Sequence, residues 1–227
     1  MLRRITYCRS RETIMKSRRV VTRTGRGFRG YFPSKKVNRM VEYESLLERD
    51  AIYLFEHSPG IKSFQEQPEL VMYEYENKIR KYYPDFAVTL NSEVVIHTEV
   101  KPQIKLNCPD LNAKLTAIVN RYQNHSADFM ILTELTIRKE PLFSNLKTIN
   151  SVNKYHLDIE KIFLKCKKLI TSSELYTVKE ISEVFGKTEV LIMLAHPLIV
   201  CDLNQPIWGR TNFVRVFKEA DHDTLFF

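Results

Sequence analysis

Four charged residues have the types and spacing that metal-assisted phosphodiester hydrolysis uses. They are Glu48 in Glu44-Ser-Leu-Leu-Glu48, Asp85 after Pro84, and Glu99 with Lys101 in Glu99-Val-Lys101 at the end of a β-branched run. A hard divalent cation such as Mg2+, for which Mn2+ can substitute, takes one or two carboxylates and leaves its other positions to phosphate and water. Asp85 and Glu99, with the Val100 backbone carbonyl, are the expected ligands. Lys101 would orient the attacking water and offset charge growing on the phosphate, and Glu48 would serve a second cation or its water. Two carboxylates so close repel, and one pKa rises unless a cation neutralises them.

These residues need elements that bring them together. Residues 41 to 57 read as a helix, with Leu47, Ala51, Leu54 and Phe55 on one face and His57-Ser-Pro-Gly60 as its stop. Glu48 lies one step round from that apolar stripe, yet Ser45-Leu-Leu-Glu48 also fits a capping box, and both readings stand. Residues 63 to 75 read as an extended segment broken at Pro68. Strands are expected over Lys81 to Leu90 and Glu93 to Lys101, with a turn at Asn91-Ser92. A two-residue loop places Pro84 opposite Glu99, whereas a three-residue loop or a bulge places Asp85 there. Alternation puts Glu99 and Lys101 on one face and turns Val100 away. A surface hairpin with an ordinary Glu/Lys pair is the plain alternative.

Residues 110 to 125 then read as a helix and Asp128 to Thr133 as an apolar strand, so the order is helix, three strands, helix, strand. That order predicts an α/β domain with a mixed sheet, in the arrangement of the PD-(D/E)xK restriction-endonuclease-like core. Here the residues resemble the TnsA endonuclease subunit of heteromeric cut-and-paste transposons. The blocks that carry the likeness are Ser45-Leu-Leu-Glu48-Arg-Asp, Phe64-Gln-Glu-Gln-Pro68, Tyr83-Pro-Asp85-Phe and Glu99-Val-Lys101-Pro. A weaker likeness extends through the C-terminal region.

The resemblance implies that Glu48, Asp85, Glu99 and Lys101 fill catalytic positions. The third acidic position is glutamine in some members and Glu99 here, so the metal set is intact. It implies cleavage of the 5′ strand at transposon ends, with a separate DDE transposase, TnsB, acting on the 3′ ends and an AAA+ ATPase, TnsC, linking both to a target selector. The match leans slightly toward the CRISPR-associated branch. It also places Gln65 and Gln67 beside the site, where they would bond a phosphate or a catalytic carboxylate, although polar residues on an edge strand before a proline explain them equally well.

The net charge of +8 is concentrated. Residues 1 to 40 hold thirteen Arg or Lys and one acid, Glu12, so this arm carries +12 and the remainder −4. Arg18, Arg19, Arg23, Arg26, Arg29, Lys35 and Lys36 suit a phosphate backbone, and a solvated tail is the alternative. A nuclease domain is expected over 41–140, a linker region over 141–156, where Pro141 and a polar series interrupt the apolar pattern, and a winged-helix-like domain over 157–218. In that last domain Leu157 to Ile170, a capped helix from Thr177, and Lys187 to Ala195 precede a hairpin of Leu198 to Asp202 with Asn212 to Phe217. The third helix is too apolar for strong base reading. Lys187 on that helix and Arg210 in the wing are the candidate phosphate contacts, so weak DNA positioning or protein docking is expected. The 219–227 tail would either dock on a partner or fold back on its own domain.

No run approaches a membrane span, and the arginine-rich N-terminus lacks the pattern of a secretory signal, so a cytoplasmic prokaryotic protein, nucleoid-associated in action, is expected. Cys8, Cys108, Cys166 and Cys201 lie far apart, which suggests neither zinc nor disulfides. Two other functions fit less of the sequence: a stand-alone PD-(D/E)xK restriction or repair nuclease, and a non-catalytic DNA-binding regulator.

Overall fold

The computed structural model describes residues 28–152, 159–170 and 176–218. Arg18, Arg19, Arg23 and Arg26 of the basic arm and the 219–227 tail lie outside them. The chain divides into two compact units, the first containing residues up to Glu56 and Ile61–Ile137, the second His57–Gly60 and the chain from Arg138 onward.

In the first unit, β1 (Gly30–Ser34) and β2 (Arg39–Tyr43) form an antiparallel hairpin, followed by helix α1 (Leu46–His57). The helix therefore starts later than the expected residue 41. Phe32 and Val41 are paired across the hairpin and buried, so the segment before Ser45 gains more as a strand. The same pairing removes β1 and the start of β2 from the arm expected over 1–40.

The central sheet has four strands in the order β3 (Ile61–Glu66), β6 (Phe86–Leu90), β7 (Val95–Val100), β8 (Asp128–Leu132). The first two pairings are antiparallel and the last is parallel. Parallel neighbours need a crossover, and α2 (Gln103–Leu106) with α3 (Pro109–Asn124) supplies it. One sheet face carries Phe64 and Phe86 against Phe55 of α1, at ring-centroid distances of 5.6 and 5.3 Å. Leu115, Ile118 and Tyr122 of α3 pack with Phe129 and Ile131 of β8 and with the hairpin β4 (Val71–Tyr75) and β5 (Lys78–Tyr82). A mixed sheet with helices in this order is consistent with a restriction-endonuclease-like core.

The strand expected over Lys81 to Leu90 is two strands. Residues 83–85 separate β5 from β6, because Pro84 has no N–H to give a ladder and β5 is committed to its own hairpin. The β6–β7 connection is the three-residue loop Asn91-Ser92-Glu93. The Leu90 N–H donates to the Val94 carbonyl (2.8 Å), and Glu93 takes the left-handed conformation that such loops need (φ 65°).

The second unit contains α5 (Leu142–Asn150), α6 (Ile159–Ile170), α7 (Val178–Phe185) and α8 (Lys187–Ala195), then a short antiparallel pair, β9 (Ile199–Val200) and β10 (Arg215–Val216). A short helix, α4 (Glu134–Ile137), closes the first unit ahead of it. The linker expected over 141–156 is corrected, since α5 occupies most of its described part. Leu142, Phe143, Leu146 and Ile149 are buried at helical spacing. Asn145, which suggested a loop, is a buried tie whose amide donates to the Leu203 and Gln205 carbonyls at 2.9 and 2.7 Å.

The expected cap of α7 is present, with Glu180 N–H donating to Thr177 Oγ1 and Thr177 N–H donating to Glu180 Oε2. Val190, Leu191, Ile192 and Met193 of α8 are buried, so this helix serves the core of its unit. Among the described residues no helix is long and apolar enough to cross a membrane.

Candidate active site

The register of three neighbouring strands builds the site. In β6–β7, Phe86 pairs with Thr98, which sets Asp85 opposite Glu99 just beyond the ladder. On the other side of β6, Gln67 N–H donates to the Asp85 carbonyl (2.9 Å), extending the β3–β6 pairing by one step. Directly opposed residues project from the same sheet face, so the three-residue loop turns Asp85 toward Glu99. A two-residue loop would have turned it away.

Lys101 closes the group. Its backbone N–H continues the parallel ladder to Leu132 (3.0 Å), and its ammonium lies 2.7 Å from Glu99 Oε1 and 3.4 Å from Asp85 Oδ2. The Val100 N–H donates to Asp85 Oδ2 (2.8 Å), and Val100 itself is buried. Glu99 Oε2 accepts a bond of 2.5 Å from the Tyr82 hydroxyl at the end of β5.

Glu48 makes the cap its sequence allowed. Its N–H donates to Ser45 Oγ (3.1 Å), the Ser45 hydroxyl donates back to Oε1 (3.0 Å), and the Glu44 N–H donates to Oε2 (2.7 Å). That is a helix cap. The buried carboxylate also acts electrostatically on Asp85 and Lys101, so the cap and the site share one side chain.

The electrostatics are those of too much buried negative charge. Burial and then Glu99 push the Asp85 carboxyl up to about 8, against the pull of Lys101 and the Val100 N–H. Burial raises Glu48 as well, opposed by its hydrogen bonds. Burial acts to lower Lys101, but Asp85 and Glu99 overcome it and hold its ammonium above the ordinary value. Lys101 is one cation among three acids.

A divalent cation fits this donor set chemically: hard carboxylate oxygens, two of them from facing residues, and a charge deficit that raises Asp85 toward neutrality. Among the described residues no group of three or more His, Cys, Asp or Glu side chains already stands in ligating arrangement. The Lys101 ammonium is bonded to Asp85 and Glu99 instead.

Gln65 lies on β3 opposite Ala87 and is half-buried. Gln67 is 2% exposed with a left-handed backbone (φ 45°), so it belongs to the interior beside Asp85 and not to a solvated edge.

Of the described basic residues, Arg29 is paired with Glu44 at 3.2 Å. Lys36 turns inward, donating to the Ile61 carbonyl (2.8 Å), and burial lowers its ammonium to about 8 against the pull of Glu56. Lys35, Lys187 and Arg210 are exposed, and the Lys187 ammonium stands 5.4 Å from the centre of the Trp208 ring.

Residues 58–134 match the family model described as TnsA-like endonuclease N terminal. Over that stretch the chain is similar to TnsA-like endonucleases. The match spans Gln65, Gln67, Asp85, Glu99 and Lys101; Glu48 precedes it. No curated protein matches the chain.

Two residues of the matched region escaped the sequence reading. His97, held neutral by burial that lowers it to about 4, has Nδ1 2.6 Å from the Tyr122 hydroxyl. Alternation along β7 puts it on the face of Glu99 and Lys101, and that was the available signal. Tyr82 had no comparable signal, because β5 pairs with β4 and no spacing rule brings its end to Glu99.

Proposed function

We propose that this chain is a metal-dependent DNA endonuclease that cleaves the 5′ strand at transposon ends during cut-and-paste transposition. On this reading it works with a TnsB-type DDE transposase and a TnsC-type AAA+ ATPase. The observation that carries the proposal is the strand register that faces Asp85 with Glu99 and bonds Lys101 to both. The TnsA-like match over residues 58–134 supports it.

Asp85 and Glu99 would hold Mg2+ or Mn2+, with the Val100 carbonyl as a further oxygen and Glu48 at a second cation or at water. The cation supplies Lewis acidity, lowering the pKa of water and neutralising phosphate charge. Lys101, released from the two carboxylates, orients the water and meets charge building on the scissile phosphate. Gln65 and Gln67 support the position of Asp85 or the phosphate. Arg18, Arg19, Arg23, Arg26 and Lys35 would follow the DNA backbone, and Lys187 with Arg210 in a winged-helix-like second unit would add weak positioning.

The test is cleavage of transposon-end DNA with Mg2+ or Mn2+, with and without the transposase, by the intact chain and Asp85→Ala. Metal-dependent 5′-strand cutting lost in the variant is expected. Efficient cutting without any transposase would favour a stand-alone nuclease. No cutting under either condition, with transposition unaffected by Asp85→Ala, would leave a DNA-binding regulator.

A further inference from the structure

The three carboxylates of the site are anchored by different means. Glu48 accepts from the Ser45 hydroxyl and the Glu44 N–H, and Asp85 from the Val100 N–H, so each has a main-chain donor. Glu99 has no backbone donor among the described residues. Its two donors are side chains, Lys101 on Oε1 and Tyr82 on Oε2. If Lys101 turns to water and phosphate, Tyr82 is the donor left to Glu99.

Tyr82 is built for that task. It is 9% exposed and packed edge-on against Tyr73 and Phe129, at centroid distances of 6.4 and 6.1 Å. Leu115, Ile118 and Tyr122 complete the cluster around it. A tyrosine hydroxyl gives one hydrogen bond along a rigid ring with only two side-chain torsions, so a packed ring fixes the direction of that bond. Here the bond ends on Oε2 and leaves Oε1, the oxygen 2.7 Å from the Lys101 ammonium, to face the site. The same short segment, Tyr82 to Asp85, therefore carries the anchor of one acid and the whole of the other.

We propose that Tyr82 is a positioning residue that fixes the Glu99 carboxylate for cation binding through its hydroxyl. The proposal rests on the reading of Asp85 and Glu99 as cation ligands. Groups that orient metal ligands from outside the coordination sphere commonly contribute about 10- to 100-fold in affinity or activity. Tyr82→Phe keeps the ring and removes only the bond to Glu99.

The experiment is calorimetric titration of the intact chain with Mn2+ in the absence of DNA, beside melting curves in chelator and cleavage at rising Mn2+. Tyr82→Phe is expected to weaken Mn2+ binding by about tenfold or more, to melt within a few degrees of the parent in chelator, and to recover cleavage at saturating Mn2+. Tyr73→Phe removes a hydroxyl from the same buried cluster without touching a Glu99 donor, and should bind Mn2+ like the parent. Unchanged affinity in Tyr82→Phe, with binding lost in Asp85→Asn, overturns the proposal and leaves the endonuclease reading standing. Equal weakening by Tyr73→Phe overturns it too, because packing would then explain the effect. Unchanged binding in both Tyr82→Phe and Asp85→Asn removes the cation site itself, and the endonuclease reading falls with it.

Discussion

The first unit holds two buried clusters built from the same kinds of side chain, and they are balanced in opposite ways. Around the β1–β2 hairpin, Glu66 accepts two bonds from the Arg39 guanidinium, 2.8 and 2.6 Å, and a third from the Glu42 N–H. Glu56 gathers the hairpin turn through the Ser34 hydroxyl and the N–H groups of Lys35 and Lys36. Burial would raise Glu66, but Arg39 and backbone donors bring it below the ordinary carboxylate value. At the other cluster burial wins and Asp85 rises. A structural ion cluster meets its own charge, whereas a site for an external cation leaves a deficit for the cation to fill.

The largest break in that contrast is Asp85→Asn. It should lower metal-dependent cleavage by about a hundred- to a thousandfold, the scale of one lost transition-state group, with the chain still folded by circular dichroism. Retained cleavage would remove Asp85 from the chemistry.

Glu66→Gln should do the reverse. Losing the charge that faces Arg39 costs about 1–3 kcal/mol, lowered by the partial exposure of Arg39, and lowers the melting temperature by roughly 2–8 °C. Cleavage below the transition should be unaltered. A variant that melts normally but fails to cut would place the hairpin cluster in the active site.

The pH dependence sharpens the same point, because the two acids have opposite signs. Glu66 is lowered, so its contribution is present above its unfolded value near 4.5 and is lost as pH falls through the folded value. Asp85 is raised from 3.8 to about 8, so in the metal-free chain its contribution is complete below 3.8 and lost as pH rises toward about 8. Melting in chelator should therefore fall between pH 5 and about 8 in the parent, and more weakly in Asp85→Asn. Added Mn2+ should flatten the fall. Parallel curves for parent and variant would sink the assignment.

The smallest effects belong to exposed cations. Lys35→Ala, Lys187→Ala and Arg210→Ala should each weaken DNA binding uniformly across sequences and reduce the slope of log K against log salt by about one for each phosphate no longer neutralised. Lys36→Ala should leave that slope alone, since its ammonium is turned to Ile61.

The helix bearing Glu48, the strand bearing Glu99, the strand that follows Asp85 and the α3 crossover were legible because each has a strong apolar period and a turn signal at its end. The β1–β2 hairpin was not, because Val41 fits a helix stripe as well as a strand and pairing with Phe32 decides between them. Helix α5 was hidden by its polar residues. Asn145 looks like a loop residue until the Leu203 and Gln205 carbonyls, far along the chain, take up its amide.

The sequence by itself determined that Glu99 and Lys101 share a face, since strand alternation needs no partner, and that Ser45 and Glu48 can cap a helix, since the bonds span three residues. Only the tertiary structure decided that Asp85 meets Glu99, because a loop one residue shorter is also stereochemically open to Asn91-Ser92 and would reverse every side chain before it. Tertiary structure also decided that Glu48 reaches the charge of the site and that Tyr82 reaches Glu99. Those contacts join elements with no local relation in the chain, and packing, not spacing, closes the distance.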